Sequence, residues 1–389
     1  MNVSVKPAPG DNRSLKNILV AEKDFEAGDI IYKEHPIVAV LDADLQGKGS
    51  HCSHCLRHIQ KGMAITPESD RLDSVYCSED CQVKDKVQSQ NLLFGLEPVL
   101  PPEMDNGLNE LTKRDRNQAQ ETFTAFLKAQ NKPSHLLAAR IVARQVTIET
   151  AKMSANKGGP VVAELPEGSG VGEQYGLSDH IERLRFINAN VSDEEIKKLC
   201  EVLASALPGL EKSITDERHA ILLGKIAYNA IGICYAGGRD DRPVSDERPE
   251  DMERTRTPHG TSRQTGCGLY LVSSYLAHSC APSARPLFNS GTSELHLVAT
   301  HPIKKGDELT MAYVDVSQHA EETPEEARRR RRVELARGWK FKCECSRCLS
   351  ETPEGAESEL GVEKDESKVE EVLRHTLVGE PSGPPTGLE

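Results

Sequence analysis

Apolar and polar residues trade places with two different rhythms along this chain. In residues 18–41, ILVAEKDFEAGDIIYKEHPIVAVL, β-branched residues alternate with polar ones around EAGD, which predicts two short strands joined by a turn. From about 108 to 152, and again from about 178 to 235, the repeat lengthens to that of amphipathic helices. SHLLAARIVARQVTIETAK sets Leu137, Ile141 and Ile148 on one face, and SDEEIKKLCEVL opens with Ser192, followed three places on by Glu195, a capping box. After 267 the two-residue alternation returns in ARPLF, ELHLVATHPI and DELTMAYVDV, with the turn KKGDE between the last two. A further helix is predicted over TPEEARRRRRVELARGW, where Thr323 caps, Pro324 takes the first helical position and Glu326 completes a capping box.

Two stretches carry neither rhythm. Residues 154–173 and 237–266 are rich in Gly, Pro and charge and read as long mobile loops. Beyond Leu349 the composition is that of a disordered acidic tail: residues 351–389 hold 11 acidic and 3 basic side chains, so 3 − 11 = −8 of the formal charge of −13 resides there. With 389 residues and 37% hydrophobic content, the chain can fold as one large or two modest domains with part of its length outside any core. No run approaches the ~18 apolar residues of a membrane span, and MNVSVKPAPGDNRS lacks the apolar segment of a secretory signal, so an intracellular protein without a membrane span is expected. The negative balance disfavours direct nucleic-acid binding and suits a basic partner. The run Arg328 to Arg332 follows four acids on a predicted helix and points in every direction, which reads as a solvated, salt-bridged face.

Eleven cysteines without an export signal suggest metal ligands and buried thiols rather than disulfides. Cys52-x-x-Cys55 and Cys77-x-x-x-Cys81 are two chelating pairs that make a closed tetrahedral structural zinc site, with His51, His54 and His58 as bystanders. Cys343-x-Cys345-x-x-Cys348 supplies three further ligands, and spacing leaves open whether a fourth is Cys280, a local group or none. Cys200, Cys234 and Cys267 read as buried inert thiols. In YLAHSCAPSA, residues 275–284, His278 and Cys280 stand two places apart, a spacing compatible with a nucleophile pair, a metal site or a core.

Six segments in order resemble the SET-domain protein lysine methyltransferases, and among them the SET-and-MYND group, with a half finger and no C-terminal helical-repeat domain. They are VAEKDFEAGDIIYKEHPIV, CSHC…YCSEDCQ, KIAYNAIGI, GLYLVSSYLAHSCAPSA, GDELTMAYVD and WKFKCECSRC. The resemblance implies an α+β fold: a β-rich knotted SET core with a helical insert, an inserted MYND-like zinc finger and a post-SET zinc motif. The expected divisions are an N-terminal extension (1–14), the SET N-terminal part (15–47), the half finger (48–90), the helical insert (91–235), a mobile loop (236–266), the SET C-terminal part (267–322), the post-SET segment (323–349) and the tail (350–389).

By the same resemblance Cys280 joins Cys343, Cys345 and Cys348, and only one of the finger's usual two sites is present, so two zinc ions are expected. The cofactor would be S-adenosylmethionine, met by Asn229, Ser274, Ala277, His278, Tyr313 and Phe341, with Tyr313 as the catalytic residue and Trp339 as an aromatic wall. Three positions depart from the group's pattern: Lys16-Asn17-Ile18 replaces a glycine-rich loop, Ala277 an asparagine, and Ser283 another asparagine. The expected function is methylation of a lysine in a basic protein segment, a histone tail or other. The alternative is a catalytically inactive zinc scaffold for protein–protein interaction. The expected location is cytoplasm, nucleus or both, or the mitochondrial outer surface if a longer chain carries an import-receptor-like region.

Overall fold

A computed structural model describes residues 2–8, 17–95, 110–130, 132–155, 176–207, 213–244, 248 and 252–352. Lys16, most of the loop expected at 154–173 and the tail from 353 on lie outside these residues.

The strands come first and are short: β1 (Val3–Pro7), β2 (Asn17–Ala21), β3 (Ile30–Glu34) and β4 (Val38–Leu41). The segment 18–41 thus yields three strands where alternation predicts two, and the N-terminal extension contributes a strand of its own. A cysteine-bearing insert follows, closed by α1 (Glu79–Asp85), a π-helical turn (Lys86–Gln90) and α2 (Asn91–Phe94). The helical insert is α3 (Glu110–Ala129), α4 (Ser134–Ala155), α5 (Leu177–Arg183), α6 (Asp193–Ala206) and α7 (Asp216–Asn229). Then come β5 (Ile231–Ile233), β6 (Gly266–Leu269), β7 (Ala277–His278), β8 (Ala284–Leu287), β9 (Leu295–Ala299), β10 (Thr310–Met311), α8 (Pro324–Trp339) and α9 (Ser346–Ser350). Both capping boxes form as expected, Ser192 with Glu195 on α6 and Thr323 with Glu326 on α8.

Strand partners are distant in sequence. β1 pairs with β2; β3, β9 and β8 make one antiparallel sheet; β4, β6 and β5 make another; β10 runs parallel to β7. One apolar core joins these sheets to Tyr313, Leu335, Trp339 and Cys280, and a second packs the helical insert against β4 and β6. Leu137 and Ile141 of α4 are fully enclosed in the second, so Leu137→Ala costs about 2–5 kcal/mol in lost burial and cavity.

The stretch expected to be a mobile loop, 236–266, has no long element, yet its second half is packed. Arg256 bridges Ile231 in parallel, its amide donating to the Ala230 carbonyl, and the Thr257 amide donates to the Tyr313 carbonyl. Two glycines permit the close approaches that follow. A Cβ on Gly232 would sit 2.8 Å from Thr255 Oγ1 and 2.7 Å from Gln264 Oε1, and one on Gly224 of α7 would sit 2.1 Å from the Ile187 carbonyl oxygen. A side chain at either position would push the neighbouring segment away from β5 or α7.

Candidate active site and metal centres

Two groups of four cysteines converge. In each, the four Sγ atoms lie within 4.8 Å of one another: Cys52, Cys55, Cys77 and Cys81 in the insert, and Cys280, Cys343, Cys345 and Cys348 where β7 meets the post-SET segment. A zinc ion with ~2.3 Å bonds to four tetrahedral thiolates requires S···S edges of about 3.8 Å. Cys55–Cys77 is 3.6 Å, Cys77–Cys81 3.7 Å, Cys280–Cys343 3.8 Å and Cys280–Cys348 3.5 Å, all far beyond a disulfide bond. The clustering couples the thiols, lowering Cys52 from its ordinary value chiefly through a hydrogen bond from Cys55, which is itself raised. His51, His54 and His58 stand outside the first group: His54 faces Asp85 at 3.9 Å, and His51 packs edge-on against His58. Cys234 and Cys267 are buried, and burial pushes both thiols up, Cys234 to about 11.

Beside the second centre stands Arg331 of the arginine run, which is not on a solvated face but fully enclosed. Its Nη2 pairs with Glu351, its Nε and Nη1 are buried without a hydrogen-bond partner, and its guanidinium lies against Cys280. A zinc ion held by four thiolates would carry two net negative charges, which this enclosed cation would partly offset. Arg330 behaves more as expected, pairing with Glu322 at 2.7 Å, whereas Arg328 is half-buried and donates to the Cys348 carbonyl at 2.9 Å.

A cleft opens next to this centre. Asn17 at the start of β2, Arg185 after α5, Asn229 at the end of α7, Ser274 and Ala277 before and in β7, and Tyr313 after β10 all line it. Tyr313 is buried, and its hydroxyl donates to the Leu276 carbonyl at 2.6 Å, which leaves the phenolic lone pairs to accept. Burial pushes the phenol up from its ordinary value and outweighs the opposing pull of the Arg256 charge, so it stays protonated at physiological pH. Around it stand Trp339 at 5.4 Å, Phe341 at 6.3 Å and Tyr228 at 6.5 Å between ring centroids. Trp339 keeps the aromatic wall expected of it, and its Nε1 donates to the Tyr228 carbonyl at 3.1 Å.

The residues expected to meet a cofactor divide into two groups. Asn229, Ser274, Ala277 and Tyr313 line the cleft, although besides Tyr313, whose hydroxyl donates to Leu276, two more of their side chains are engaged within the protein. Asn229 donates to the carbonyls of Arg185 and Lys225, each at 2.7 Å, and Ser274 donates to that of Tyr270. His278 and Phe341 stand behind the tyrosine. His278 Nδ1 accepts the Tyr313 amide at 3.0 Å, so its proton is on Nε2, which faces Cys280 Sγ at 3.3 Å. Burial holds this imidazole down at about 4, hence neutral; it links the thiolate centre to the tyrosine backbone rather than acting as half of a nucleophile pair. Sequence reasoning missed Arg183, Arg185 and Arg256. All three line the cleft: Arg183 ends α5, Arg185 follows it, and Arg256 comes from a segment that composition marks as irregular.

The SET domain model matches residues 17–314, which include the finger and the helical insert. A SET and MYND domain-containing protein of Dictyostelium discoideum is 23% identical over 83% of this chain and 78% of its own length. The mouse protein-lysine N-trimethyltransferase SMYD5 is 24% identical over 86% of this chain and 84% of its own. The histone-lysine N-methyltransferase SET5 of Saccharomyces cerevisiae is 25% identical over 90% of this chain, which spans 63% of that protein. With one four-cysteine centre in the insert, a second joining the HSC segment to the C-terminal cysteines, and a family match over most of its length, this chain belongs to the SET-domain family.

Proposed function

We propose that the protein is an S-adenosylmethionine-dependent protein lysine methyltransferase acting on a basic protein segment such as a histone tail, in the cytoplasm, the nucleus or both. The observation that carries this reading is Tyr313: a buried, protonated hydroxyl fixed by Leu276, walled by aromatic rings, at the floor of a cleft gathered from six separate segments. Its support is the family and the names of its relatives, several of which are lysine methyltransferases.

The cleft offers polar groups for the amino-acid end of such a cofactor. Arg185, held by the Tyr228 hydroxyl at 3.2 Å, offers a planar fork for a carboxylate, and Asn17 adds an amide beside it. When bound, the cofactor supplies an electrophilic methyl group on a sulfonium. The protein supplies placement: the Tyr313 oxygen accepts from the incoming amine and fixes its direction, and the rings of Trp339, Phe341 and Tyr228 exclude water so that the amine is not rehydrated. Two zinc ions, one per cysteine group, would be structural, with no open ligand position. The net charge of −13 favours approach of a basic substrate.

Calorimetry with S-adenosylmethionine and transfer of labelled methyl to core histones test the reading. We expect binding and transfer in the wild type, and loss of transfer in Tyr313→Phe with zinc content unchanged. No binding at millimolar cofactor would overturn the enzyme reading, and undiminished transfer by Tyr313→Phe would overturn the role of that residue.

A further inference from the structure

We infer that Arg256 is the positioning residue that assembles the active-site cleft, holding its helical wall, its turn and Tyr313 in one arrangement. The inference rests on the reading of the cleft given above and extends it to a residue outside every motif of the resemblance.

Arg256 as a residue is 1% exposed. Its Nε donates to the Tyr228 carbonyl at 2.7 Å, Nη1 to the Ser274 carbonyl at 3.0 Å and the Leu276 carbonyl at 3.4 Å, and Nη2 to Asn229 Oδ1 at 2.9 Å. Its flat face lies 4.3 Å from the Tyr313 ring centroid and 5.0 Å from that of Tyr228. No carboxylate is among these partners. Among the described residues this buried cation is held by carbonyl dipoles, one amide oxygen and two π faces alone, a costly arrangement that persists because each partner is itself a wall of the cleft.

The acceptors belong to two separate walls. Tyr228 and Asn229 end α7, while Ser274 and Leu276 precede β7, and Leu276 is also the residue whose carbonyl fixes the Tyr313 hydroxyl. Arg256 therefore sets the distance between the walls and, through Leu276, the direction of the phenol. Its own place is secured by the bridge to Ile231 beside β5, which the small Gly232 permits. Lysine cannot reproduce this, having one compact donor group in place of a planar fork.

The Tyr228 carbonyl that accepts from Arg256 also accepts from Trp339, the single tryptophan of the chain, so indole emission reports the arrangement without turnover. In Arg256→Lys we expect two zinc ions as in the wild type, a shifted Trp339 emission maximum, and S-adenosylhomocysteine bound at unchanged stoichiometry with a dissociation constant raised about tenfold or more. Arg256→Met should do the same to a greater degree. A merely structural role would lower the binding stoichiometry and leave the constant of the folded fraction alone. Wild-type emission together with a constant within about twofold of wild type in Arg256→Lys, or a fall in stoichiometry alone, would overturn the inference. If the wild type binds no S-adenosylhomocysteine, the proposed function fails, while the emission of the two variants still decides whether Arg256 holds the walls together.

Discussion

Single residues here act through the charges they face. Arg331 is enclosed beside Cys280 with two N–H-bearing nitrogens unpartnered, and His278 directs its remaining N–H at the same sulfur. Donors aimed at a ligand thiolate raise metal affinity by about ten- to a hundredfold. Arg331→Met should therefore weaken one of the two zinc sites by about that factor while the site at Cys52, Cys55, Cys77 and Cys81 titrates as before; Arg331→Lys, keeping the charge, should weaken it less. Competition with a chromophoric chelator reads both sites in one experiment. Identical titrations of Arg331→Met and wild type would show that the cation is incidental to the metal. The sequence concealed this because five consecutive arginines look alike, and only the packing of α8 decides which of them turns inward.

At the scale of elements, the joint between finger and helical insert is the informative case. Arg140 of α4 reaches the Ala39 carbonyl of β4 at 2.7 Å, the Ser53 carbonyl of the finger at 3.3 Å and Asp85 of α1 at 3.5 Å. Asp85 also accepts from Tyr76 at 2.8 Å. Burial pushes its carboxyl up, but Arg140, His54 and Tyr76 together outweigh burial and leave it below the ordinary value. A carboxyl depressed in the folded state contributes stability that is present above its unfolded value, ~3.9, and is lost as pH falls through the folded one. Asp85→Asn strands the guanidinium and should cost about 3 kcal/mol near neutral pH, with a flatter decline of stability below pH ~4. Urea midpoints measured against pH check both; an unchanged midpoint at pH 7 would mean the joint is held by other contacts. The same region shows what sequence can and cannot reveal. Helices α4, α6 and α8 were legible because their caps and apolar faces are local. Strand pairings were not: β3 finds β9 and β4 finds β6 more than two hundred residues away, and segment 252–266 reads as loop although a bridge and a buried arginine fix it. The cysteine centre containing Cys280 falls between: its three local ligands were visible, while the fourth lies 63 residues earlier and was supplied by resemblance.

Across the whole molecule, the two centres hold different things together. The finger's cysteines sit in a small apolar cluster with Ile59, Val75 and Tyr76. The other centre ties β7 to the segment that carries Trp339 and Phe341, and Arg347 reinforces the tie by donating to the Cys280 and Val316 carbonyls. Metal loss there would let the cysteines take up protons and remove the bonds that join them, so residues 339–348 should separate from Tyr313 and the buried indole should reach water. Two zinc ions per chain are expected, and three would mean that the finger holds a second site. Cys55→Ser and Cys345→Ser should each retain one ion, but only Cys345→Ser should red-shift Trp339 emission and abolish S-adenosylhomocysteine binding. Equal shifts in both variants would show that the finger, through Cys55, whose carbonyl accepts the Ser293 amide at 2.8 Å, supports the cleft as directly as the post-SET centre does.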